Sequence, residues 1–162
     1  MQLHRAQKDD IGFIVALEQR PEFSPFINAW PAERHARAMN DPDFRYLMFE
    51  EQDRAIGYAF LNGLTSPNRA IQLCRVALAE PGGGRGRAAC RLIMEEAFDR
   101  LGAHRLYLDL FEDNARAEHL YRALGFVLEG LARDAERRDS EFRSLKLMSI
   151  LEHEYRAYRP KT

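Results

Sequence analysis

Glu112-Asp113-Asn114-Ala115-Arg116-Ala117-Glu118-His119-Leu120-Tyr121-Arg122-Ala123-Leu124-Gly125-Phe126 reads as one helix with both ends written into it. Asn114 has the side-chain oxygen that an N-cap needs to take up an orphan amide of the first turn. Gly125 can adopt the left-handed conformation that closes a helix, and Phe126 then supplies the apolar contact of such an ending. Ala117 and Leu120 fit ordinary helix packing, and a lone helical tyrosine such as Tyr121 is by itself a core residue. Just upstream, Arg105–Phe111 alternates Leu106, Leu108 and Leu110 on one face and is expected to be a strand.

One helix further back lies Pro81-Gly82-Gly83-Gly84-Arg85-Gly86-Arg87. It follows an expected strand, Ala70–Leu78, and precedes a helix on which Ala89, Leu92, Ile93, Ala97 and Leu101 recur at helical spacing, with Gly102 as its C-cap. Glycines at this junction permit positive φ and leave amide N–H groups unblocked at a helix N-terminus, a combination suited to phosphate or to a tight turn. A Walker A loop is excluded because Arg87-Ala88 follow Gly86 where Lys-Ser/Thr is required, and the position does not suit a dinucleotide fingerprint. Arg85 and Arg87 either add charge-assisted bonds to a phosphate or lie in solvent.

The remaining chain is expected to begin with a strand at Leu3–Ala6. A helix follows Asp9 or Asp10 and carries Ile11, Ile14, Val15 and Leu17. Pro21–Pro31, with Phe23, Phe26 and Trp30, is a packed loop. A helix at Ala32–Met39 and a hairpin of Phe44–Glu50 with Ile56–Leu61 come next. Strands at Phe126–Leu131 and Phe142–Ile150 end the chain. Strands and helices alternate in the middle with hairpins at either end, so the fold class is α/β (α+β) with a mixed sheet, in a single domain spanning 1–162.

Composition narrows the function. A net charge of −1 over 162 residues, with arginines scattered among as many acids, gives no reason to expect a nucleic-acid partner. No cationic leader or long apolar run points to secretion or a membrane. Two cysteines, Cys74 and Cys90, cannot build a disulfide framework, so a reduced, cytoplasmic setting is expected. The five histidines show no metal-ligand spacing, and no metal is expected.

Taken together, the two motifs closely resemble the acetyl-CoA signatures of the GNAT superfamily of N-acetyltransferases. The first signature, Gln/Arg-x-x-Gly-x-Gly/Ala, runs over Gly83, Gly84, Arg85, Gly86, Arg87 and Ala88, with Gly83 standing where the family has Gln or Arg. The second, Asn-x-x-Ala-x-x-Leu-Tyr-x-x-x-Gly-Phe, is matched at Asn114, Ala117, Leu120, Tyr121, Gly125 and Phe126. Glu129-Gly130 and Leu147–Leu151 are similar to the branch of spermidine and ribosomal-protein N-terminal acetyltransferases.

The resemblance implies an acyl-CoA acyltransferase fold, a mixed, mostly antiparallel sheet of about six or seven strands flanked by about four helices. It implies acetyl-CoA as co-substrate and an amine acceptor, compatible with a homodimer. It places Val76, Ala77 and Leu78 beside the pantetheine arm, the loop from Gly83 to Ala88 with Asn114 and Ala117 at the donor, and Tyr121 as the acid that protonates the leaving thiolate. The acceptor groove is expected between Pro21–His35 and the hairpin around Arg133–Phe142, where Phe26 and Trp30 either line it or pack beneath the loop. Candidate bases are Glu112, Asp109, Glu33 and the acids of Asp134–Glu141. A catalytically degenerate acetyl-CoA-binding or sensing module is the alternative.

Overall fold

In the computed structural model, which describes residues 1–158, one seven-stranded sheet organises the chain. Its strands are β1 (Gln2–Arg5), β2 (Phe44–Glu51), β3 (Arg54–Asn62), β4 (Ala70–Leu78), β5 (Arg105–Phe111), β6 (Val127–Arg138) and β7 (Glu141–Leu151). They lie in the order β1-β2-β3-β4-β5-β7-β6. Every neighbouring pair is antiparallel except β4 with β5. The helices are α1 (Ile11–Glu18), α2 (Ala32–Asn40), α3 (Arg85–Glu95), α4 (Ala115–Ala123) and α5 (Glu152–Tyr158).

The central strands are buried on both faces, which is why they read as continuous apolar runs. On β2, Tyr46 and Met48 face α1 and α2 and join Ile14, Leu17, Tyr58 and Phe60. Leu47 and Phe49, one residue out of phase, face α3 and join Ile93, Met94, Leu106 and Ile150. Each face is thus one half of a core divided by the sheet.

The expected mixed sheet is present with seven strands. Two expectations are corrected at the C-terminal end. β6 continues seven residues past Leu131 to Arg138, and α5 adds a fifth helix. β6 is an edge strand, exposed along nearly all its length, so burial imposes no apolar alternation that could announce it. In α5 only Tyr155 is buried, leaving no stripe to detect. α3 begins earlier than its apolar rhythm, at Arg85, and passes into a π-helical turn at Glu96–Arg100 before Gly102, at φ +68°, closes it.

Candidate active site

The site opens where β4 and β5 part. The two strands pair only at Ala70 with Arg105, Ile71 with Leu106 and Gln72 with Tyr107. The cause lies on the other side of β4. There Phe60 pairs with Arg75 and Leu61 with Leu73, so Cys74 is an extra residue, a β-bulge that bends the strand. Beyond Gln72 the β5-facing edge of β4 has no strand partner. A cleft of about 280 Å3 fills the wedge, lined by Cys74, Arg75 and Val76 on one side and Leu108–Phe111 on the other.

Tyr121 enters this cleft because of how α4 ends. Gly125, at φ +92°, lets the Phe126 amide bond to the Tyr121 carbonyl at 3.0 Å and the Gly125 amide to the Arg122 carbonyl at 3.0 Å, the double bond of a Schellman motif. The Tyr121 and Phe126 rings then pack at 5.4 Å. At the other end the Asn114 side chain accepts from the Ala117 amide at 3.2 Å, so the helix is capped as expected. Asn114, Ala117 and Tyr121 all line the cleft. Burial, with the nearby Cys90, pushes the Tyr121 phenol well above its ordinary value, so it keeps its proton at neutral pH.

The glycine loop lies at the N-terminus of α3. Gly82, Gly83 and Gly84 all have positive φ, and a side chain on any of them would meet open space. The Arg85 amide is taken by the Gly82 carbonyl and that of Ala88 by the Gly84 carbonyl, both at 3.0 Å, so the loop leaves a bare backbone above the Gly86 and Arg87 amides of the first turn. Gly86 faces α4, where an added Cβ would lie 3.5 Å from Leu120. Arg85 does not reach over the loop: its Nε lies 3.1 Å from Glu51 at the end of β2. Arg87 is exposed, and Ala88 is half-buried in the first turn. Of the strand residues, Val76 lines the cleft, while Ala77 and Leu78 alternate into the two halves of the core.

Among the acids named from the sequence, Asp109 and Glu136 line the cleft. Glu112 and Glu33 lie on exposed surface. Burial and the charge of Glu136 raise the Asp109 carboxyl above its ordinary value. Partial withdrawal from water, together with Asp109, pushes the Cys74 thiol up to about 12. Cys74 opens onto the cleft, while Cys90 is buried.

A second cavity of about 630 Å3 adjoins the cleft, sharing Ile27, Asn28 and Arg138 with it and extending to Glu18 and Asp139. It lies where the acceptor groove was expected, between the 21–31 loop and the β6–β7 hairpin. The loop is strapped down by three guanidinium groups: Arg138 to the Ser24 carbonyl at 2.6 Å, Arg143 to that of Pro25 at 2.7 Å and Arg75 to that of Asn28 at 3.0 Å. Phe26 is 45% exposed and lines the cleft, whereas Trp30 packs on Phe60 at 5.2 Å beneath Arg34, whose guanidinium stands 3.8 Å over its ring.

One group escaped the sequence reading. Glu18, 2% exposed, receives the Trp30 amide at 2.9 Å, His35 Nε2 at 3.1 Å, Arg75 Nη1 at 2.5 Å and the Tyr58 hydroxyl. Burial opposes its ionisation, but the bonds from His35, Tyr58 and Trp30 and the charge of Arg75 outweigh it and hold the carboxyl at about 2. The signal was present: Glu18 stands seven residues after Ile11, on the helix face that also carries Ile14.

A bulged strand parting from its parallel neighbour, a glycine-lined helix start and a tyrosine at the wedge define an acyltransferase-like class of site. Residues 12–126 match the acetyltransferase (GNAT) family, and the chain belongs to that family. A spermidine N(1)-acetyltransferase of Escherichia coli strain K12 is 34% identical over 76 residues, 47% of this chain and 41% of that protein. The counterpart from Vibrio cholerae is 27% identical over 68% of this chain and 65% of its own length. The matched stretches thus span less than two thirds of either relative. In three dimensions, a spermidine N-acetyltransferase from Vibrio cholerae in complex with CoA and spermine superposes with a TM-score of 0.86 at 22% identity, covering 95% of this chain and 96% of that one. This likeness concerns the fold. Among the described residues no helix is long and apolar enough to cross a membrane.

Proposed function

We propose that the chain is a single acetyltransferase domain that moves an acetyl group from acetyl-CoA to a primary amine by direct attack in a ternary complex. The observation that carries this reading is the unpaired β4 edge and Tyr121 in one wedge, with the bare glycine backbone at the start of α3 joined to the same helix as Tyr121 through Gly86 against Leu120. The anionic end of the donor fits the glycine loop from Gly83 and the Gly86 and Arg87 amides that the first turn leaves open, with the Arg87 side chain exposed beside them and Arg85 held by Glu51. Val76, Ala77 and Leu78 supply the edge along which an amide-bearing arm bonds as an added strand, with Asn114 and Ala117 walling the opposite side.

The chemistry asks three things of these residues. An amine of ordinary lysine-like pKa, about 10.4, costs roughly 4–5 kcal/mol to deprotonate near neutrality, so a base is needed. Asp109 serves as that base: it lines the cleft, and its raised carboxyl brings it closer to the working range. An amide of β4 near Val76 stabilises the carbonyl oxygen as it gains charge. The amine nitrogen bonds to the acyl carbon, the carbon–sulfur bond breaks, and the thiolate takes its proton from Tyr121, whose phenol recovers one from the reacting ammonium. An acyl-enzyme on Cys74 is disfavoured because its thiol is pushed away from the thiolate form.

The names of the relatives make polyamines the first acceptors to try. Release of free CoA thiol is to be measured with acetyl-CoA and a panel of polyamines, amino acids, aminoglycosides and peptide N-termini. Turnover with at least one amine is expected. Saturable acetyl-CoA binding with no thiol released by any amine would replace this reading with the degenerate sensing module.

A further inference from the structure

A third cavity, of about 210 Å3, shares no lining residue with the cleft and lies where β1 and β2 meet the π-helical turn after α3. Arg45 reaches it from β2. Its Nε is buried without a hydrogen-bond partner, the one such side-chain nitrogen or oxygen among the described residues. Its nearest terminal nitrogen stands 3.7 Å from Glu96, outside hydrogen-bond range, and Glu96 is instead 3.2 Å from Arg100. Arg5, paired with Leu47 and so on the same sheet face as Arg45, brings a third guanidinium. Three guanidinium groups therefore face one carboxylate, and the most enclosed of them is the least satisfied. Buried donors are almost always met by protein, water or an ion. Leu3, Leu47 and Leu101 complete the walls with apolar surface. At this size the cavity falls below the roughly 300–1,000 Å3 of pockets that take drug-sized ligands. π-Helical turns such as Glu96–Arg100 also recur at functional sites.

We propose that this cavity is a binding site for a small aliphatic carboxylate, its head forked on Arg45 and flanked by Arg5 and Arg100, its short tail against Leu3, Leu47 and Leu101. The planar guanidinium matches a carboxylate by two parallel N–H bonds, which the Nε and one terminal nitrogen of Arg45 supply. The site is independent of acetyl transfer.

The test is a thermal-shift titration with sodium butyrate, with sodium chloride holding ionic strength constant. The melting temperature of the wild type should rise saturably, with half-effect at about 1 mM. Arg45→Gln should lose at least nine tenths of the shift, while Arg54→Gln, at the exposed start of β3 and outside the cavity, should keep all of it. Should Arg45→Gln fail to fold, Arg100→Gln, with its side chain 69% exposed, carries the same question and should weaken butyrate at least threefold. No saturable shift in the wild type, an equal shift from inorganic phosphate, or an undiminished shift in the folded arginine variants would each overturn the assignment.

Discussion

Arg75 joins β4 to α1: its Nη1 lies 2.5 Å from Oε1 of Glu18, and its Nη2 lies 3.0 Å from the carbonyl of Asn28. The pair bridges the two cavities, because Arg75 lines the cleft and Glu18 the adjoining groove. It also follows directly from the bulge at Cys74, which resets the alternation of β4 and so decides which face Arg75 takes. A device that opens the cleft therefore also anchors the loop beside it.

The pair sets an acid limit on stability. Glu18→Gln would leave the Arg75 guanidinium, its side chain 11% exposed, beside a neutral amide. Removing one partner of a buried pair costs about 3–5 kcal/mol, to be read by urea denaturation at pH 7. The folded carboxyl is held at about 2 against an ordinary 4.5, so its stabilisation is fully present above about pH 4.5 and drains away as the pH falls toward 2. That shift corresponds to about 3 kcal/mol. The loss across this window should be visible in the wild type and nearly absent in Glu18→Gln. Equal acid sensitivity in both proteins would mean that Glu18 is not held ionised.

Tyr121→Phe keeps the packing on Phe126 and removes only the proton. kcat should fall by about 10²-fold with little change in the KM for acetyl-CoA, the split expected of a group that acts only in the transition state. A rise in KM at unchanged kcat would assign Tyr121 to donor binding instead.

Two glycines should respond to alanine in different ways. At Gly57, opposite Leu78 on β4, an added Cβ would lie 2.4 Å from the Ala77 carbonyl oxygen and 3.1 Å from Leu78 Cα, and neither backbone atom can step aside. Gly57→Ala should cost about 1–3 kcal/mol by pushing β3 from β4, and should raise the KM for acetyl-CoA because the donor-side strand moves with it. At Gly84, where a side chain meets open space but φ is +79°, only backbone strain of about 1–2 kcal/mol is expected. Urea curves measure both losses. An unchanged stability in Gly57→Ala would mean that β3 and β4 yield without cost.

The helix from Asn114 to Phe126 was legible because its capping residues do local work: Asn114 takes the Ala117 amide, and Gly125 lets Phe126 reach back to Tyr121. The glycine loop was legible for the same reason. What the sequence concealed depends on contacts between distant segments. The bulge at Cys74 exists only against β3, and Arg85, read as a phosphate ligand or solvent-exposed, is tied to Glu51 thirty-four residues away. Helical spacing places Glu18 on the apolar face of α1, but its partners Arg75, His35 and Tyr58 come from three other elements and only the fold brings them together. The far end of β6 is exposed and polar, and its strand character rests on β7 pairing, as between Glu136 and Arg143.

The base can be found by moving its titration. Asp109 must be ionised to accept a proton, so kcat/KM should fall as the pH drops through its raised carboxyl value. Asp109→Asn should lower kcat by about 10²-fold and remove that limb. Glu136 supplies the sharper test, because after burial its negative charge is the cause that lifts Asp109. Glu136→Gln takes the charge away, lowers the Asp109 value and should carry the acid limb to lower pH. Were the base a different group, for example one held down by a cation, loss of Glu136 would leave the limb in place while kcat changed for other reasons. A limb that stays fixed in Glu136→Gln, or survives in Asp109→Asn, therefore removes Asp109 from the role whatever happens to the rate.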